Sequence, residues 1–214
     1  MNVSSKAKQI YGQIDPQTTK LGDLRALAKT LKTNHDLAME LWSTGGFLPR
    51  QLAILIMDKK RLDQNVIDQL NKGIQNHDFK EQTHLMDWLM ANQLSKDKKL
   101  VSLIETWEQS PYALQRRVFW YYQSRLRWMG HTGHSNTEYL LASIEKTIMA
   151  EPPEVQWAMN FTAGQIGKWE EKHRERCISI GETTGLYKDE VAPRNCTPNY
   201  LPEFIRIEVA KLNK

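Results

Sequence analysis

Residues 21–56 read LGDLRALAKTLKTNHDLAMELWSTGGFLPRQLAILI, and three apolar stripes at helical spacing lie within them. Leu24, Leu27, Ala28 and Leu31 form the first, Leu37, Ala38, Leu41 and Trp42 the second, and Leu52 and Ile56 with their neighbours the third. Residues three and four apart share one face of a helix, so each stripe marks an amphipathic or buried helix. The separators are short. Asn34-His35-Asp36 supplies a cap before the second helix, and Gly45-Gly46 interrupts the chain after it.

Helices joined by such short connections pack as antiparallel neighbours, and the pattern continues outward from this run. Asp63 precedes another helix, and Ser110-Pro111 opens a long one. Glu151-Pro152-Pro153 places acid and proline in a first helical turn, where both are favoured. Gly130 to Asn136 reads as a loop. Prolines, glycines and Asn195 predict an extended segment from Gly181 to Pro202, before a last short helix from Pro202 to Leu212. Alternating β-branched runs bounded by turns are almost absent. The expectation is an all-α chain of roughly ten to twelve helices. They are expected to form a HEAT-like α-solenoid of stacked antiparallel helix pairs, with a concave face suited to ligands. One domain over 1–214 is expected, with an irregular C-terminal segment at 181–214. No strict repeat period is present, so this reading rests on helix and loop lengths.

Composition excludes several classes. The 214 residues are 40% hydrophobic and 25% charged, enough to bury a core, with too few Gly (11) and Pro (8) for a low-complexity chain. No apolar run approaches the roughly 18 residues that cross a bilayer, and the N-terminus lacks a signal-peptide core. The chain is expected to be cytoplasmic and not inserted in a membrane. Cys177 and Cys196 sit in no CxxC pair, so free thiols are expected.

Charge is mildly basic, with 29 Lys and Arg against 25 Asp and Glu, a net +4. The cations cluster at Lys59-Lys60-Arg61, Lys96 to Lys99, Arg116 to Arg127, and Lys168 to Arg176. Such clusters fit either a phosphate-facing stripe or ordinary solvated helix faces.

Asp87 is one candidate for chemistry, because its helical neighbours Thr83, Met86, Met90 and Ala91 make a small, largely apolar surface. A structural hydrogen bond and a carboxylate poised against positive charge both fit that placement. Along residues 111–128, Arg117, Tyr121, Arg125 and Trp128 share one stripe, beside Leu114, Val118, Tyr122 and Leu126 on another. Arginine interleaved with aromatics suits phosphate and base contacts, and equally suits helix packing. In residues 151–167, Val155, Ala158, Met159, Thr162 and Ile166 form a core stripe, leaving Trp157, Asn160 and Phe161 on adjoining faces. Phosphate-binding glycine loops, HExxH and GxSxG are absent. His131 and His134 fit a solvated loop better than a metal pair, and no metal site is expected.

Several segments together carry a family resemblance: residues 22–29, residues 34–42, Met86-Asp87-Trp88-Leu89, residues 153–160, residues 180–189, and Asn195 to Pro198. Over nearly the whole chain the sequence resembles the AlkD-type DNA alkylation repair family of HEAT-like helical proteins, especially its short bacterial subfamily. The resemblance implies a protein that binds alkylated duplex DNA, without cofactor or metal. It also implies a DNA glycosylase, a hydrolase excising cationic N3- or N7-alkylated purines. Asp87 matches the family's catalytic Asp, and Arg117 its phosphate-side Arg. Arg116, Arg125, Phe161 and Trp157 join Arg117 as expected DNA contacts. Thr83 stands where the family has a tryptophan four residues before the Asp, and the second lesion-facing tryptophan falls on Phe161. The alternative is a non-catalytic HEAT-repeat scaffold that binds nucleic acid or a protein partner.

Overall fold

The computed structural model describes residues 3–128 and 135–212, so His131 and His134 lie outside the described residues. The described residues are helical and irregular, with no strand among them. They group into two compact units, Met1–Thr106 and Trp107–Lys214.

The first unit holds α1 (Ser5–Gln13), α2 (Leu21–Leu31), α3 (His35–Ser43), α4 (Phe47–Ile56), α5 (Gln64–Ile74), α6 (Phe79–Asn92) and α7 (Lys98–Glu105). Local chemistry fixes their starts. Side-chain oxygens of Asn34, Asp63, Asp78 and Asp97 accept backbone N–H groups in the first turns of α3, α5, α6 and α7. Gly45, with φ at 79°, supplies the left-handed residue that lets α3 turn into α4. Helices α2, α4 and α6 lie side by side, with α3 packed on α4 and α5 on α6. This is a HEAT-like stack of antiparallel pairs. The predicted stripe of α3 is buried throughout, as are Leu52 and Ile56. The stripe of α2 buries only Leu24 fully, because that helix lies at the end of the α2–α4–α6 row.

The second unit holds α8 (Ala113–Trp128), α9 (Thr137–Thr147), α10 (Pro153–Trp169), α11 (Arg174–Thr184) and α12 (Leu201–Leu212). Its centre is α10, which touches the other four helices. Val155, Ala158, Met159, Thr162 and Ile166 of α10 are all buried, as their spacing predicts. Small residues let the helices approach closely. A Cβ added at Gly167 would lie 2.6 Å from Ile205 Cδ1 of α12, and one at Gly181 would lie 2.6 Å from Leu201 Cβ.

That contact revises a predicted boundary. The extended segment begins after Thr184 and not at Gly181, because Gly181 is a packing position inside α11. The helix stops at Gly185, whose φ of 62° is left-handed. Residues 185–200 are irregular before α12. Cys177 is buried and Cys196 exposed, and both are free thiols. Burial pushes the Cys177 thiol up to about 12, with further upward pressure from the Glu170 carboxylate. None of the described helices is long and apolar enough to cross a membrane.

Candidate nucleic-acid interface

The second unit brings four of the singled-out residues together on α8 and α10. Arg117 is one turn before Tyr121 on α8, and Trp157 is one turn before Phe161 on α10. The Arg117 guanidinium carbon lies 4.6 Å from the Trp157 ring centroid and 5.9 Å from that of Tyr121. Trp157 and Phe161 stack with centroids 5.2 Å apart and planes inclined by 10°. Tyr121 meets both rings edge-on, at 5.6 and 6.0 Å, and Phe204 of α12 closes the far side of Phe161 at 6.0 Å. Arg117 is mostly buried, and its Nη1 donates to the Glu154 carbonyl at 2.9 Å. The result is a buried cation set against the Trp157 and Tyr121 rings, whose quadrupoles attract it.

The tail adds a group that spacing did not reveal. Burial and the Glu190 carboxylate push the Tyr187 phenol up to about 12, against the opposing pull of the Arg117 charge. Tyr187 holds a left-handed φ of 64°, outside the usual range of a bulky residue. The segment is tied down where Asn160 Nδ2 donates to the Asn199 carbonyl at 2.8 Å and Asn199 Nδ2 to Glu190 at 2.7 Å.

Other cations of the same sequence clusters serve elsewhere. Arg116 makes a forked pair with Glu151, at 3.0 and 2.8 Å to Oε2, and donates to the Ser110 carbonyl at 2.7 Å. Arg127 is 2% exposed and bonds Glu170, Thr137 and the Gln123 carbonyl, so it is an internal strut. Lys168 pairs with Glu208, and Arg176 with Glu138 and Glu145. Arg125 is half-buried on α8, with no hydrogen bond or ion pair among the described residues.

Asp87 belongs to the first unit, on α6, half-buried between the buried Met86 and Met90 of its own helix. The Thr83 hydroxyl donates back to the Phe79 and Lys80 carbonyls, so that position offers no ring and no outward donor. Trp88 points away from this side of α6. Its Nε1 donates to the Gln51 carbonyl at 3.2 Å, and the Arg25 guanidinium lies 5.1 Å from its ring. No group of three or more His, Cys, Asp or Glu suited to a metal is present among the described residues.

The chain is similar in fold to a solved structure described as a new family of proteins related to the HEAT-like repeat DNA glycosylases with affinity for branched DNA structures. The match has a TM-score of 0.69 at 22% identity, covering 97% of this chain and 89% of that one. No curated protein matches the chain. The family described as DNA alkylation repair enzyme matches residues 15–183, which include α2 through α10, Asp87, Arg117, Trp157 and Phe161. The chain therefore belongs to the DNA alkylation repair enzyme family.

Proposed function

We propose that the protein binds duplex DNA through the α8–α10 face and excises cationic N3- or N7-alkylated purines from it. The observation that carries this reading is the Arg117 guanidinium carbon 4.6 Å from the Trp157 ring centroid, beside Phe161 and Tyr121. Arginine set among aromatic rings is a combination that serves phosphate and base contacts in nucleic-acid binding.

The chemistry asks little of the protein. The N-glycosidic bond breaks with its electron pair leaving on the purine, which the alkyl group has already made positive and which departs neutral. Positive charge grows on the deoxyribose as the bond breaks, water attacks C1′, and the proton it loses passes to solvent. Asp87 takes the role that the family resemblance gives it, stabilising that charge and orienting the water. Arg117 holds the backbone phosphate, with Arg125 as an additional contact. Arg116 contributes by bracing α8 through Glu151.

A second reading has its own observation. With Thr83 turned back onto its helix, no aromatic group precedes Asp87 by one turn, which favours a DNA-binding scaffold without base excision. The structural relative's affinity for branched DNA structures makes branched DNA the ligand to try first under that reading.

One experiment separates the two readings. Methylated duplex DNA is incubated with wild type and Asp87→Asn, and released 7-methylguanine and 3-methyladenine are measured. Release by wild type and its loss in the variant supports excision by Asp87. Equal release from both excludes Asp87 as the catalytic group, and no release with retained DNA binding supports the scaffold.

A further inference from the structure

The first unit carries a row of flat side chains that base excision does not use. The Arg25 guanidinium lies 5.1 Å from the Trp88 ring centroid. Trp88 and His84 stack with centroids 6.1 Å apart and planes inclined by 30°. Phe47 meets His84 edge-on at 5.4 Å. Helices α2, α4 and α6 supply these groups, one helix beside the next.

Hydrogen bonds hold the row in place. Trp88 Nε1 is fixed on the Gln51 carbonyl, and the buried Gln51 side chain holds His84, Nε2 to Nε2, at 2.7 Å. Two members reach solvent. His84 and Arg25 are exposed, and Arg25 has no ion pair among the described residues. A guanidinium pairs with oxyanions and an imidazole stacks with bases, so the two exposed members suit nucleic-acid contacts.

We propose that this row is a binding site for single-stranded nucleic acid, with an unpaired base stacked on His84 and a flanking phosphate on Arg25. This deepens the nucleic-acid reading above and rests on it. Stacking tolerates every base, because every base has a π-face, whereas a duplex keeps its bases enclosed. The row has one guanidinium, that of Arg25, and its other members are rings. Stacking therefore supplies the attraction and Arg25 a single phosphate contact. The salt dependence follows: log affinity falls with log salt at a slope of about −0.7, the value for one neutralised phosphate on a single strand.

The test titrates the full chain into labelled oligothymidylate and, separately, into unmethylated duplex of matched length. His84→Ala is expected to weaken oligothymidylate binding about tenfold more than duplex binding, within the range for loss of one stacked base. His84→Phe is expected to restore it, and Arg25→Gln to flatten the salt slope. Equal losses on both DNAs, or failure of His84→Phe to rescue, overturns the site. Duplex bound by wild type with oligothymidylate unbound overturns the site and leaves the duplex reading standing; the reverse result overturns the duplex reading and leaves the site.

Discussion

Arg117 and Trp157 lie 40 positions apart in sequence, yet the guanidinium carbon of one is 4.6 Å from the ring centroid of the other. The pair joins α8 to α10, and its consequences divide between binding and stability.

Replacing Arg117 with Lys keeps the charge and loses the plane, since an ammonium neither stacks on indole nor forks to a phosphate. Arg117→Lys is expected to weaken duplex DNA binding nearly as much as Arg117→Ala, measured by fluorescence anisotropy at fixed salt. Lys-like rescue would show that charge alone suffices there. Trp157→Ala is expected to cost about 2 kcal/mol in urea unfolding, below the range for a fully buried tryptophan because Trp157 is half-buried.

Arg127 and Glu170 make a different kind of pair, 2.7 Å apart with the Arg127 side chain almost wholly enclosed. Burial pulls the Arg127 pKa down, and the Glu170 carboxylate opposes that pull. Glu170→Ala strands a buried cation and is expected to cost about 3–5 kcal/mol, whereas Arg127→Met with Glu170→Leu removes the charge problem and is expected to cost much less. Equal unfolding midpoints for the single and double variants would count against this account.

Glu208 gives the second unit an acid-sensitive tie. Burial alone would raise its carboxyl, but hydrogen bonds from Lys168, Lys211 and Thr197 outweigh it and hold the pKa at about 2, against an ordinary 4.5. A carboxylate depressed on folding stabilises fully above its unfolded pKa, and the contribution disappears as pH falls toward the folded value. Wild type is therefore expected to lose about 1–2 kcal/mol more than Glu208→Gln between pH 5 and pH 2, after allowing for solvent screening. Parallel stability curves for the two proteins over that window would remove Glu208 as the cause.

Gly181 tests the close approach of α11 and α12. An alanine Cβ there would meet Leu201 Cβ and Pro202 Cδ, each at 2.6 Å, and the proline ring has little freedom to yield. Gly181→Ala is expected to destabilise by about 1–3 kcal/mol despite alanine's better helix propensity, lowering the melting temperature by several degrees. Gly12→Ala, on an open face of α1, is expected to be neutral or stabilising and serves as the comparison.

Local pattern made the helices legible. Apolar spacing and the caps at Asn34 and Asp63 act within a few residues, so they can be read along the chain, and α3, α4 and α10 bury the side chains that their periodicity selects. Gly181 misled because sequence does not distinguish a glycine needed for a turn from one needed for contact with a distant helix. Arg116 and Arg117 show the same limit at the site. They are neighbours in one basic cluster, but a helix turns them about 100° apart. One meets Glu151 and the other Trp157, and only tertiary packing determines which cation is neutralised and which is held against an aromatic face. The sequence by itself determined the helical class, the family motifs and the residue types available for chemistry. The Arg25–Trp88–His84 row, the internal role of Arg127 and the Tyr187 phenol beside the Arg117 charge depended on tertiary structure, because each joins helices or segments far apart in the chain.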